Sequence, residues 1–208
     1  MKTLLKSVVA AAVLAAPSLA LAAAWEIDPA HSGAQFSVKH MMVSNVKGEF
    51  GKLAGTFNID EKDITKSTVD VTIDATTINT RNEQRDNHLR SPDFFDVKNH
   101  PNITFKSTKV EKGADGKLKV TGNLTLHGVT KPVVLDVEGP TPEVKSPFGD
   151  TRIGASATTT LNRKDFGLNW NKAIETGGVV VGDEVRVSID LEGVKKAPAA
   201  APAAPVKK

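Results

Sequence analysis

The sequence predicts an all-β protein built from antiparallel strands. Three observations lead there: apolar residues recur at every second position through most of the chain, short turn signals separate the apolar runs, and stretches of helical period are few and brief. Many successive strands joined by short turns close as an up-and-down barrel or fold as a sandwich. Periodicity alone does not separate the two.

The elements follow in order. Phe36, Val38 and His40 alternate with Gln35, Ser37 and Lys39. Leu53, Gly55, Phe57 and Ile59 form the next apolar series, and Gly51 falls at the phase change between Phe50 and Leu53. A glycine at a phase change marks a bulge or bend, which strands need in order to curl into a barrel. Val69, Val71 and Ile73 follow, then Ile103 and Phe105, then Leu118, Val120, Gly122, Leu124 and Leu126. Val133, Leu135 and Val137 precede a weaker series, Ala155, Ala157, Thr159 and Leu161, and Val185, Val187, Ile189 and Leu191 close the domain. Turn signals lie at 60–63, 112–116, 128–130 and 177–178. A barrel of about eight strands has room for side chains or for one small ligand. The small inward residues Gly55, Gly122, Ala155, Ala157 and Thr159 favour a cavity; larger neighbours leaning over them would instead fill the core.

One stretch breaks the pattern. From Thr80 to Phe105 the chain reads TRNEQRDNHLRSPDFFDVKNHPNITF. Residues 82–90 read as a short polar helix, which Ser91-Pro92 ends because the residue before proline avoids the α region. Asp86 and Arg90 stand at the i, i+4 spacing of a helical ion pair, and Arg81, Arg85 and Leu89 share a face. Phe94 and Phe95 follow, so the segment reads as a plug. One reading is a surface helix capping a barrel end, with the two phenylalanines closing the core. The other turns Arg85 and His88 towards a cavity mouth, where they hold an anionic or polar head group.

The two ends do not belong to the fold. Lys2 and Lys6, the apolar run from Ser7 to Ala16 and the small residues at Ala20–Ala22 read as a secretory signal peptide over 1–22. The apolar run is shorter than the ~20 residues that span a bilayer. The Ala/Pro/Lys sequence over 195–208 reads as a disordered tail. Residues 23–194 remain, about 170, enough for one domain with a core that stands without disulfides. There is no cysteine, which excludes thiol chemistry and cysteine metal sites. Setting aside Lys2 and Lys6 takes the net charge from +3 to +1, which argues against nucleic acid as a partner.

The chemistry on offer is sparse. None of His31, His40, His88, His100 and His127 stands at helical zinc spacing, and no nucleophile elbow, P-loop or dinucleotide fingerprint occurs. No catalytic residue, metal set or cofactor is expected. His40 shares the phase of Phe36 and Val38, so it holds a head group inside or is a core histidine bonded to a carbonyl. His127 sits in a turn before Gly128, and Trp170 lines a cavity or covers it. A histidine-based or metal-assisted enzyme acting on an apolar substrate is the rival reading; it requires His40, His88 and His100 to converge.

The blocks HSGAQFSVKHMMVSNVKGEF, RDNHLRSPDFFDVKNHPNITF, VTGNLTLHGVTKPV, LNRKDFGLNW and VGDEVRVSIDLE, in that order, resemble the YceI-like family of bacterial polyisoprenoid-binding proteins. The resemblance covers about Trp25 to Leu191. It implies a lipocalin-like antiparallel barrel that binds and sequesters or carries a long-chain apolar molecule: a polyisoprenoid, an isoprenoid quinone or another lipid. It also implies a periplasmic, non-enzymatic protein. On that reading the cavity is lined by Phe36, Val38, His40, Phe57, Ile73, Phe94, Phe95, Phe105, Leu124 and Trp170, with Arg85 and His88 at the head group. A membrane surface and a second copy of the chain are the further partners such a carrier would meet.

Overall fold

The computed structural model describes residues 23–175 and 177–196. The expected signal peptide lies outside them, as does the tail from 197 onward. Lys195, assigned to the tail by sequence, is instead the last residue of a strand.

The strands are β1 (Ala23–Ile27), β2 (Gly33–His40), β3 (Ser44–Phe50), β4 (Leu53–Ile59), β5 (Thr68–Asp74), β6 (Asn102–Lys112), β7 (Leu118–Leu126), β8 (Val129–Glu138), β9 (Val144–Lys145), β10 (Thr151–Asn162) and β11 (Val181–Lys195). Helix α1 (Glu83–Arg90) stands between β5 and β6. The order β11-β1-β4-β5-β6-β7-β8-β10 closes on itself because β10 also pairs antiparallel with β11, from Arg152↔Val194 to Asn162↔Glu184. The result is a closed eight-stranded antiparallel barrel, the expected alternative to a sandwich.

Two wall positions are broken strands. β1 and β2 both lie against β11, β1 at Gly193–Lys195 and β2 at Val181–Asp190. β2 then turns into β3, and β4 takes up the course of β3 after Gly51-Lys52 to pair with β1 and β5. The bend expected at Gly51 is this break. Among the described residues no strand pairs with the outer edge of β3, where Glu49 and Asn79 exchange backbone hydrogen bonds, both 3.0 Å.

Inward and outward residues alternate as the pattern predicts. In β7, Leu118, Val120, Gly122 and Leu126 are buried, while Lys119 and Asn123 are exposed. At one end α1 and the connection to β6 cover the barrel, together with the β2–β3 and β7–β8 turns and residues 163–175 and 177–180. The other end is packed shut: Trp25 stacks on Phe57 (6.3 Å, 8°), and both are buried.

The small inward residues do not all leave space. A Cβ at Gly122 would stand 2.4 Å from the Phe105 ring, one at Gly48 2.4 Å from Phe36, and one at Gly193 2.2 Å from Phe57. Rings lying over strand glycines are a packing device of curved sheets. Part of the space anticipated from sequence is therefore filled by aromatic rings.

Candidate functional site

A residual cavity remains inside the barrel. The inward residues Val185, Val187, Ile189 and Leu191 of β11 stay only half-buried, as do Phe36 and Val38 of β2 and Leu161 of β10. Side chains that point inward yet keep accessible surface face space rather than packed atoms. That space is a cavity of about 200 Å³.

Seven of the ten expected cavity residues line it: Phe36, Val38, Ile73, Phe94, Phe95, Phe105 and Leu124. Three do not. His40 is the last residue of β2, opposite Ser44 and Val181, at the rim beyond Val38. Phe57 points inward but spends its ring on Trp25 and over Gly193. Trp170 lies behind Phe94 (5.3 Å, 45°) and covers it.

Helix α1 and the turn after it build the roof. Asn82 caps α1 by accepting from the Arg85 N–H (2.9 Å). Asp86 is buried and accepts from the Thr80 backbone N–H (2.8 Å) and hydroxyl (2.5 Å). The expected Asp86–Arg90 pair does not form: Arg90 donates to the carbonyls of Thr76 and Ile78 and to Asn87 instead. Asp86 is committed to Thr80, and the bonds of Arg90 to the chain that enters α1 are charge-assisted. Arg81 precedes the helix in a left-handed conformation (φ 61), so it shares no helical face with Arg85.

Neither expected head-group residue lines the apolar cavity. Arg85 donates from Nε to the Thr80 hydroxyl (2.7 Å) and from Nη2 to the Thr80 carbonyl (2.8 Å). It borders a second, wider groove of about 1010 Å³ with Lys47, Glu49, Arg81 and Arg186. Gln35, Phe36, Thr159 and Val187 line both spaces, so groove and cavity adjoin at that wall. His88 pairs with Asp93 (2.9 Å) and sets its ring edge-on to Phe94 (5.0 Å) and Trp170 (4.9 Å), an aromatic cover over the cavity roof.

Arg163 was not singled out from sequence and is the most heavily bonded group at the site. Its side chain is 4 % exposed and lines the cavity. Nε donates to the Gly182 carbonyl (2.9 Å), Nη1 to the carbonyls of Leu168 and Trp170, and Nη2 to the Val181 carbonyl (3.2 Å) and Asp183 (3.2 Å). Burial lowers its pKa, with Asp183 opposing. The guanidinium thus sews the end of β10, the Trp170 segment and the start of β11 into one rim. Only its position just past the end of a strand pattern, in the stretch LNRKDF, hints at this from sequence.

His100 meets His127 (5.5 Å between rings), and His127 Nδ1 lies 3.2 Å from the Phe166 carbonyl, in the β7–β8 turn as expected. Among the described residues, one group of three His or carboxylate ligand atoms lies within 4.8 Å of one another: Asp28, His31 and Glu192. Arg152 already pairs with both of those acids. The convergence of His40, His88 and His100 that an enzyme reading requires is not among these groups.

The comparisons with known proteins agree with this geometry. The model of the YceI-like domain matches residues 25–193. The chain belongs to the YceI-like family. A UPF0312 protein of Vibrio parahaemolyticus is 40% identical over 190 residues, covering 89% of this chain and 95% of that one. The crystal structure of a Campylobacter jejuni YceI protein superposes with a TM-score of 0.64 at 36% identity, over 76% of this chain and 90% of that one. A polyisoprenoid binding domain from Saccharophagus degradans, implicated in plant cell wall breakdown, has the same fold (TM-score 0.60, 18% identity, 85% of this chain and 99% of that one).

Proposed function

We propose that this YceI-like protein is a binder rather than an enzyme, and that it holds one long-chain apolar molecule, a polyisoprenoid or a related lipid, inside the barrel. The observation that carries the reading is the cavity of about 200 Å³ walled by aliphatic and aromatic side chains. The polyisoprenoid-binding neighbour supports it, as does family membership. The tail enters between Phe94, Phe95, Phe105 and Leu124. The polar head rests where cavity and groove adjoin at Phe36, within reach of the Arg85 side. The N-terminal 1–22 sequence supports export and a periplasmic place of action.

Size limits the cargo as the barrel stands. A dry cavity of ~150 Å³ accepts benzene, and drug-sized ligands occupy ~300–1,000 Å³. A long chain therefore fits only if the roof yields, and Phe94 and Phe95 sit on a turn rather than on a strand. A chain burying about ten methylenes gains about 8 kcal/mol, equivalent to ~1 µM before ordering costs. The test is titration of delipidated protein with a fluorescent long-chain isoprenoid. Saturation at one probe per chain, displaced by unlabelled polyisoprenoid, is expected; no saturable binding would end the proposal.

A further inference from the structure

We infer that the tip of the β2–β3 hairpin is a membrane-docking wedge that seats the barrel on a lipid surface. The inference rests on the binding reading above, because a lipid bilayer is where a long-chain apolar cargo resides.

The first observation is a conflict between residue type and conformation. The hairpin turns at Met41-Met42, whose φ values are 49 and 62, with the Val43 N–H donating to the His40 carbonyl (3.1 Å). Positive φ at both central residues is the requirement of a type I′ turn, where Asn and Gly are the favoured residues. The β7–β8 turn meets the same requirement with His127-Gly128. Here two methionines occupy it, and their side chains gain little burial: Met41 is 42 % exposed, Met42 57 % and the following Val43 81 %. Backbone strain at Met41 and Met42 coincides with apolar surface exposed over 41–43, which folding alone does not favour.

The second observation is the setting. The Met41 N–H donates to the Val180 carbonyl (2.8 Å), and a Cβ placed on Gly178 would lie 3.5 Å from Met42 Cγ and 3.6 Å from Ile174. The wedge thus has a second apolar shoulder from the segment before β11. It stands at the cavity rim: Val38 and Val181 line the cavity, and the β2–β11 ladder shifts register between Val181 and Val185. The tip therefore stands one rim position, that of His40, beyond the cavity wall at Val38 and Val181.

A bilayer fits the wedge better than a second copy of the chain does. Three side chains on a hairpin tip fall far short of the ~800 Å² per partner that a stable interface buries. Charges on the same segments are mixed, with Lys39 and Lys172 against Glu175 and Glu184, so insertion of apolar side chains rather than charge attraction drives docking.

The experiment is flotation of the exported chain with vesicles of phosphatidylethanolamine and phosphatidylglycerol. The wild type is expected to float, in low and in high salt. The double substitution Met41→Asn, Met42→Gly should lower partitioning ~10-fold or more while raising the melting temperature, since it supplies the residues the turn favours. Phe148→Ser removes a side chain that is 89 % exposed at the opposite end of the barrel, and it should float like the wild type. Equal flotation of the double variant and the wild type overturns the inference, as does failure of the wild type to float. A concentration-dependent dimer abolished by the double substitution also overturns it, by making the tip an interface between copies. Probe binding by delipidated protein, measured separately, reports on carriage whatever the vesicles show.

Discussion

Replacing Arg163 with methionine removes all five of its donor contacts while keeping much of its length. Three backbone carbonyls, of Gly182, Leu168 and Trp170, lose this partner, whereas Val181 retains the Asn171 amide at 2.8 Å and Asp183 retains Lys164 at 2.8 Å. A buried acceptor left unpaired costs about 1–3 kcal/mol. The three losses do not simply add, because the rim can open and admit water; losses from breaking a buried charged network cluster at about 3–5 kcal/mol. For a domain of this size that is a fall of roughly 6–20 °C in melting temperature. Arg163→Lys, which keeps the charge but not the fork, should lose most of the same stability. Denaturant unfolding of both variants gives the free energies directly. A loss below about 1 kcal/mol for Arg163→Met would refute the claim that this side chain holds the rim together.

Three further outcomes are expected. Ala157→Phe places a ring in the cavity opposite Ile189; long-chain probe binding should fall ~10-fold or more with the melting temperature unchanged or raised, and unimpaired binding would contradict the location of the site. Gly122→Ala sets a methyl 2.4 Å from the Phe105 ring and 2.6 Å from the Lys106 carbonyl, and should cost about 1–3 kcal/mol in chemical denaturation. The Asp28–His31–Arg152–Glu192 cluster gives a pH signature. Hydrogen bonds from His31, the Ala30 N–H and Arg152 hold the Asp28 carboxyl at about 2, and Asp28 raises His31 in turn. His31 stabilises fully below its unfolded value of about 6.5 and loses that contribution as pH rises through its raised folded value; Asp28 stabilises above about 3.9 and loses its contribution as pH falls through about 2. His31→Gln should therefore lower the melting temperature more at about pH 5.5 than at about pH 8.5, and an equal shift at both would contradict the assignment.

Much of the wall was legible because a strand with one buried face writes its phase into the sequence. Phe36, Val38, Ile73, Phe105 and Leu124 reach the cavity as their phase requires. Phase gives the face but not the height along the barrel: Phe57 and His40 share the inward face and lie below and beyond the cavity. β3 went unrecognised because its inward positions are Val46, Gly48 and Phe50, and Gly48 must be small to admit the Phe36 ring. β1 was hidden because Ala23 and Ala24 continue the alanine-rich composition of the residues before them. The roles of Arg85, Asp86 and Arg163 were not legible. Arg85 and Asp86 bind Thr80 across a non-helical turn that helical spacing does not describe, and Arg163 reaches Val181 and Gly182, which the fold alone brings close.

The central claim is that the barrel holds a long-chain apolar molecule. Organic extraction of the protein purified from its native compartment, followed by mass spectrometry, tests it most directly. One long-chain lipid per chain is expected, lost from the Ala157→Phe variant. Repeated extracts without an apolar molecule, together with a crystal structure in which side chains fill the interior, would contradict it.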